Sequence, residues 1–257
     1  MTPEAFAAVR ATYLESWPVA LRTQSLRQVS IPLSLEEAGL LRQRAAAPHR
    51  GWGTETVPEG LERVGEALHE ALRSFPEGAF VRLGSRSAKD SRYALHRGLR
   101  VFSAGGALAM LTSGSARVAF DLRLALHQGY APHLFVREWV DLPAWAELRC
   151  FMRDRRLVGI SQYAWGLGAS QELHTHAPCL ERAVRRFFPV FHEACHLDDV
   201  VFDVFAVTPL PAGDVLPTVR LLELNPFSPK TDPGLFTWEH GGDFDGAFRI
   251  VPLPPGQ

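Results

Sequence analysis

The stretch LLELNPFSPKTD, residues 221–232, begins like a strand and is broken by a proline after its fifth residue. Apolar and polar side chains alternate from residue 222 to residue 225. This two-residue period is typical of a half-buried strand. Glu223 and Asn225 are two residues apart and therefore share one face of that strand. A carboxylate and an amide side by side among leucines indicate a functional group or a solvent-facing edge.

A second strand-like run, VVFDVFAV at 200–207, precedes this stretch. A simple antiparallel register sets Val207 opposite Val219 and Asp203 opposite Glu223. Directly opposed side chains have Cβ atoms only about 4.5–5.5 Å apart, so the two carboxylates would repel. Either one carboxylate takes up a proton, or a hard divalent cation such as Mg²⁺ lies between oxygen ligands. The alternative is a solvated acidic edge with no ligand.

A basic segment at residues 82–100 continues from an earlier strand that begins near Ala79. It contains one acid, Asp90, three interleaved serines (Ser85, Ser87 and Ser91) and the cations Arg82, Arg86, Lys89, Arg92, Arg97 and Arg100. A mobile loop of this kind can wrap a polyphosphate with backbone N–H groups, hydroxyls and charge together. The alternative is a solvated surface loop. Neither GxxxxGK[ST] nor GxGxxG occurs, so the P-loop and Rossmann fingerprints are absent.

Lysine is unusually rare in this chain. Of the 27 basic residues only Lys89 and Lys230 are lysines, and the rest are arginines. The lysine ammonium is a compact point charge on a flexible stem, so it can move with a bound phosphate. One lysine lies in the basic segment and the other lies five residues after Asn225, so both are candidates for a metal–phosphate site.

Composition sets the protein class. The 257 residues are 46% hydrophobic and 21% charged with a formal net charge of −1, which is ordinary for a globular protein and draws the chain to neither nucleic acid nor membrane. No apolar run has membrane-spanning length and the N-terminus lacks a signal-peptide pattern, so we expect a cytoplasmic protein. Three scattered cysteines exclude a disulfide framework and a cysteine zinc site.

Predicted helices alternate with antiparallel hairpins, which indicates an α+β fold. Ser34 and Glu37 form a capping box at one helix start, and the Arg-rich run at 153–156 predicts a hairpin turn. The motif HEACH, His192 to His196, matches the zinc-binding pattern H-E-x-x-H. The alternative is a polar end of an amphipathic helix, because no third ligand has a familiar spacing.

Several stretches together resemble the cell division cycle protein 123 (D123) family, a divergent branch of the ATP-grasp enzymes. They are SW with IPL near the N-terminus, VRLGSRSAKD (81–90), VREWVDLPAWAELRCFMRDRRLVGISQY (136–163), VFDVF (201–205) and LLELNPFSPKTDPGLFTWEH (221–240). The arginine-rich composition is typical of a bacterial member from a GC-rich genome.

The resemblance implies an ATP-grasp fold in which two α+β lobes clasp Mg-ATP, an N-terminal lobe at 1–134 and a C-terminal lobe at 135–257. By position, Asp203, Glu223 and Asn225 match the family's metal ligands. The implied nucleotide-binding residues are Arg82, Arg86, Ser87, Lys89, Glu138, Trp139, Val140, Arg149 and Lys230, with Glu138 to Val140 as the hinge beside the adenine and Arg149 and Lys89 as catalytic residues. Arg82 stands where the family usually has lysine, and Glu223 where it has aspartate.

Three functions follow as hypotheses. The first is an ATP-dependent carboxylate–amine ligase that forms an acyl phosphate for an amine-type acceptor, such as one on a protein or peptide. The second is a non-catalytic assembly factor that uses ATP to hold a conformation recognised by a partner protein, since eukaryotic members of the family assist assembly of translation initiation factor 2. The third is a zinc hydrolase through His192 and His196.

Overall fold

The computed structural model describes residues 1–47, 55–212 and 215–254. Its α-helices are α1 (Pro3–Arg10), α2 (Val19–Arg22), α3 (Leu35–Ala46), α4 (Glu62–Leu72), α5 (Arg92–Arg97), α6 (Ala104–Thr112), α7 (Ala116–His127) and α8 (Gln171–Ala194). Its strands are β1 (Gln28–Pro32), β2 (Ala79–Leu83), β3 (Arg100–Val101), β4 (His133–Glu138), β5 (Glu147–Arg153), β6 (Arg156–Gln162), β7 (Val200–Ala206), β8 (Val219–Asn225) and β9 (Phe248–Arg249).

The chain divides into two compact units. The first unit comprises Met1–Phe6 and Arg27–Val140, and the second comprises Ala7–Leu26 and Asp141–Gln257. Each contains one sheet, so the α+β class predicted from the sequence is confirmed. No helix in the described part of the chain is both long and apolar enough to cross a membrane.

The first unit has an antiparallel sheet in the order β1-β4-β2-β3. One face packs against α3, α4, α6 and α7 through a continuous apolar core that includes Val81, Leu134 and Val136. The alternate residues on the opposite face include Arg82 and Arg137, which are both buried. The capping box predicted at the start of α3 is present, with reciprocal Ser34–Glu37 hydrogen bonds of 3.1 and 2.8 Å.

The second unit has a sheet in the order β8-β7-β5-β6-β9, antiparallel except for the β6–β9 pair. Helix α8 covers one face, where Phe191 stacks on Phe202 of β7 with ring centroids 4.0 Å apart. The predicted β5–β6 hairpin is confirmed, and its turn places Asp154 and Arg155 at positive φ, as a tight hairpin turn requires.

The β7–β8 hairpin confirms one predicted pairing and corrects another. Asp203 lies opposite Glu223 as predicted, but Val219 pairs with Ala206 and not with Val207. A β-bulge between Asp203 and Val204 causes the shift, because the register passes from Asp203–Glu223 to Val204–Leu221 and so skips one residue of β8. The extra residue reverses the alternation of faces along β8.

Candidate functional site

A row of polar side chains crosses the sheet of the second unit. Each of the five strands contributes one residue to this row, and neighbours in the row are paired across adjacent strands. In order across the sheet they are Glu223, Asp203, Arg149, Ser161 and Arg249. The next row of paired positions is apolar throughout and lies on the face covered by α8: Leu224, Phe202, Cys150, Ile160 and Phe248. Because adjacent rows point to opposite faces, polar chemistry is concentrated on the face away from α8.

Arg149 and Asp203 form a buried bidentate ion pair at the middle of this row. Arg149 Nε donates to Asp203 Oδ1 at 2.8 Å and Nη2 donates to Oδ2 at 2.9 Å. Their side chains are 9% and 1% exposed. Burial alone would lower the pKa of the Arg149 guanidinium, but the charge and hydrogen bonds of Asp203 raise it, so Arg149 is a fixed cation.

This ion pair provides a third way to offset the repulsion expected between Asp203 and Glu223. The sequence predicts a proton or a divalent cation between the two carboxylates, whereas the structure supplies a buried guanidinium from the neighbouring strand. Asn225 adds a hydrogen bond from Nδ2 to Asp203 Oδ2 at 3.2 Å. Asp203, Glu223, Asn225 and Arg149 are thus brought together as the sequence predicted.

Two further groups that the sequence did not point to contact the guanidinium of Arg149. The guanidinium carbon lies 4.9 Å from the ring centroid of Tyr163, and Nη1 donates to the carbonyl of Asp232 at 2.9 Å. Burial, followed by the charges of Asp203, Glu147 and Glu223, raises the pKa of the Tyr163 hydroxyl. Tyr163 is therefore protonated at neutral pH. Tyr163 follows Ser161 by two residues. Extending the strand alternation of β6 past its last residue would therefore have predicted that the two side chains share a face.

The segment after β8 packs on the same face. Leu235 N donates to Ser161 Oγ at 3.0 Å, and Gly234 approaches Ser161 so closely that a Cβ there would overlap its hydroxyl. Trp238 Nε1 holds the carbonyl of Thr231 at 2.7 Å. Lys230, predicted to contact phosphate, lies in this segment and is exposed.

The donor set of Asp203, Glu223 and Asn225 suits Mg²⁺, which binds carboxylate and amide oxygens. Each carboxylate oxygen has more than one lone pair, so the bonds from Arg149 and Asn225 leave acceptor capacity on Asp203. Within residues 1–47, 55–212 and 215–254, no cluster of three or more His, Cys, Asp or Glu side chains could hold a metal. The predicted metal site therefore depends on two carboxylates and one amide and stays a prediction.

In the first unit the basic segment is ordered by specific contacts. Leu83 N donates to the carbonyl of Arg86 at 3.0 Å, and Arg82 pairs with Ser87, which closes a tight turn at the end of β2. Asp90 accepts hydrogen bonds from Ser115 Oγ at 2.6 Å and Arg117 N at 3.0 Å. The mobile loop expected from the sequence is thus anchored to the start of α7 by its one acid.

The cations of this segment have different surroundings. Arg82 is buried and donates from Nε to the carbonyl of Leu83 at 3.0 Å, whereas Lys89 is exposed. Arg86 pairs through Nε with Asp121 Oδ2 of α7 at 3.2 Å. Burial raises the pKa of the Asp121 carboxyl, and the charge of Arg86 opposes that shift. Asp121 was not predicted as a partner of the basic segment, although an aspartate at an apolar position of an amphipathic helix was the available signal.

The predicted hinge lies at the end of β4. The Glu138 carboxylate accepts hydrogen bonds from Arg27 N at 3.0 Å and Arg27 Nε at 2.8 Å. The Trp139 ring centroid lies 5.8 Å from the guanidinium carbon of Arg100, and Val140 is the last residue of the first unit. Arg137, the buried neighbour on β4, was missed because a single arginine in a strand has no distinctive spacing.

The structure does not support the zinc motif. Helix α8 ends at Ala194, and Cys195 is already extended, so His192 and His196 do not lie one helical turn apart. His192 Nε2 accepts a hydrogen bond from Arg155 Nε at 3.1 Å, and His196 Nε2 lies 3.1 Å from the carbonyl of Ala11. The Nε2 atom of each of these two imidazoles is thus engaged in a structural contact.

Comparison with known proteins adds a family and a fold. The sequence model of the D123 family matches residues 34–242. Two relatives carry the name translation initiation factor eIF2 assembly protein. The protein from Botryotinia fuckeliana is 25% identical over 87% of this chain and 62% of its own length, and that from Xenopus laevis is 31% identical over 72% of this chain and 55% of its own. The chain thus spans about three-fifths of the length of these curated relatives.

The structure of Cdc123 from Schizosaccharomyces pombe has a TM-score of 0.76 and 21% identity, and the match covers 96% of this chain and 98% of that one. A C-terminally truncated form from the same organism gives the same TM-score at 20% identity, with coverage of 98% and 99%. The architecture is therefore that of Cdc123, consistent with the predicted ATP-grasp fold.

Proposed function

The chain belongs to the D123 family, and on that basis we propose that it is an assembly factor that binds a partner protein and uses Mg-ATP to hold its binding conformation. The names of the relatives support the assembly role, because they describe assembly proteins and not ligases. The observation that carries the nucleotide proposal is the polar row, in which Asp203 lies opposite Glu223 with Asn225 beside them.

In this proposal Asp203, Glu223 and Asn225 hold Mg²⁺, which neutralises phosphate charge when nucleotide is bound. Arg149 orients Asp203 through two hydrogen bonds and adds a positive charge beside it. Arg82, Arg86, Ser87, Lys89 and Lys230 contact the phosphates, and Glu138 to Val140 contact the adenine. These roles follow from the resemblance in sequence.

The ligase hypothesis is a second candidate, favoured by the buried cation at Arg149. As a catalytic residue Arg149 would stabilise charge on a transferring phosphoryl group together with Lys89. The two readings differ in products. Transfer of ¹⁸O from a labelled carboxylate to released phosphate would support the ligase, and ATP binding without turnover would support the assembly factor.

Nucleotide binding is tested by thermal melting with and without Mg-ATP. A ligand that binds only the folded state raises stability by about 2.7 kcal/mol at a hundred times its dissociation constant. We expect a higher melting temperature for the wild type with Mg-ATP, a smaller rise when EDTA removes Mg²⁺, and little rise in Asp203→Ala. Equal shifts in wild type and variant would remove Asp203 from the site.

The assembly role is tested with purified eIF2, the factor named for the relatives. We expect binding that strengthens with Mg-ATP and proceeds without release of ADP. Binding that does not depend on nucleotide would support eIF2 as the partner and contradict the role of ATP. No binding in either condition would contradict eIF2 as the partner.

A further inference from the structure

A cavity of about 580 Å³ lies in the first unit between α3, α7 and the start of α5. Three arginines border it, one from each helix: Arg42, Arg92 and Arg123. Among the described residues, the rest of the lining consists of alanines, one glycine and Phe120, and none of these side chains is acidic. None of these residues belongs to the proposed nucleotide site.

Two of the three arginines lack an acidic partner in the part of the chain that the structure describes. Neither Arg42 nor Arg123 has a carboxylate within ion-pair distance among those residues, and the guanidinium carbon of Arg123 lies 5.3 Å from the ring centroid of Phe120. By contrast, Arg63 and Arg86 elsewhere in the unit pair with Glu37 and Asp121. Cations that converge on a concave, low-dielectric surface focus their field on whatever occupies it.

The floor of the cavity is apolar. It is formed by small side chains of α3 and α7, including Ala45 and Ala119, and by Gly114. These residues offer no side-chain hydrogen bonds, so they suit an apolar group. Phe120 at the rim is 49% exposed, which is unusual for a large aromatic side chain. The cavity therefore combines a cationic rim with an apolar base.

We propose that this cavity binds an acidic peptide segment of a partner protein, with an apolar side chain on the alanine floor and flanking carboxylates on the arginines. Arginine favours carboxylates because its planar fork donates two parallel hydrogen bonds. A single-stranded nucleic acid fits less well, because base recognition uses successive aromatic platforms and Phe120 is the one aromatic side chain among the described lining residues. The inference is independent of nucleotide binding.

The test uses fluorescein-labelled peptides and fluorescence anisotropy. The probe has the sequence Asp-Glu-Phe-Asp-Glu, and its controls replace phenylalanine by glycine or every acid by lysine. We expect the acidic phenylalanine peptide to bind best, and to bind weakly at about 0.5 M salt, where exposed charges are screened within a few Å. A lysine peptide that binds as well would overturn the proposal.

Amino-acid substitutions test whether the peptide binds at this cavity. Arg42→Glu with Arg123→Glu should weaken the peptide by at least about tenfold, and Ala119→Leu should weaken it while leaving every charge in place. Arg186→Glu, an exposed arginine on α8, makes the same charge change elsewhere and should have no effect. Circular dichroism checks that each variant is folded. Equal loss in Arg186→Glu, or no loss in the cavity variants, would contradict the proposal.

Two further measurements separate this inference from others. An oligouridylate that binds in a cavity-dependent manner, in place of the peptide, would assign the surface to RNA and overturn the peptide. The Mg-ATP melting shift should be unchanged in the cavity variants. If peptide binding fails while that shift persists, the nucleotide proposal stands and only the peptide site falls.

Discussion

At the residue scale the buried ion pair of Arg149 with Asp203 has a large energetic consequence. Both side chains are buried, so removing one leaves the other as an uncompensated charge, which costs roughly 3–5 kcal/mol. We predict that Arg149→Met and Asp203→Leu each lower the free energy of unfolding by about that amount. The double variant should be more stable than the sum of the two losses implies, because no buried charge then lacks its partner.

Urea denaturation of the wild type, both single variants and the double variant measures this coupling. Additive losses would contradict the ion pair as the reason for the instability of the single variants.

The contribution of Asp121 to folding stability should depend on pH with the opposite sign to that of an ordinary salt-bridged carboxylate. Burial raises the pKa of its carboxyl in the folded state, so the folded protein binds a proton more tightly than the unfolded chain. Stability therefore falls as pH rises from the unfolded value, about 3.9, through the raised folded value. We predict that Asp121→Asn gains stability relative to wild type across that pH window.

Chemical denaturation at several pH values checks this prediction. Glu66→Gln, an exposed residue on α4, is the matched control for the change of a carboxylate to an amide. A difference for Asp121→Asn that declines with rising pH would show that Arg86 dominates over burial.

At the element scale the turn between β5 and β6 ties the hairpin to the end of α8. Arg155 donates from Nε to His192 Nε2 at 3.1 Å and from Nη2 to the His192 carbonyl at 2.6 Å. Arg155→Gly relieves a positive φ but removes these donors, so we predict a net loss of about 1–3 kcal/mol. Asp154→Gly relieves a similar φ without removing them and should be close to neutral.

Thermal or urea unfolding of the two glycine variants makes the comparison. Equal stabilities would mean that the contacts of Arg155 with α8 contribute nothing beyond the turn itself.

Elements with strong local signals could be predicted from the sequence, and those without them could not. The capping box at Ser34 and Glu37 and the turn at 153–156 are encoded by neighbouring residues. Helix α6 was missed because it is buried all round and begins with paired glycines, which leaves no amphipathic period. The bulge at Leu222 was missed because the alternation of side chains does not reveal where an extra residue is accommodated.

At the scale of the whole molecule, the family and the Asp203–Glu223 pairing could be predicted, but the partners of the predicted residues could not. Arg149 and Asp203 are 54 residues apart and meet only because β5 and β7 are neighbours in the sheet. The contact of Arg86 with Asp121 likewise depends on how α7 packs in the first unit. Such long-range contacts follow from tertiary packing and have no local pattern.

The central claim is that Asp203, Glu223 and Asn225 hold the Mg²⁺ of a bound nucleotide. Calorimetric titration of Mg-ATP into the wild type, Glu223→Gln and Glu193→Gln tests it most directly, because Glu193 is an exposed glutamate on α8 outside the polar row. We predict that Glu193→Gln binds like the wild type and that Glu223→Gln binds at least about tenfold more weakly, with a smaller dependence on Mg²⁺. Wild-type affinity and Mg²⁺ dependence in Glu223→Gln would contradict the claim.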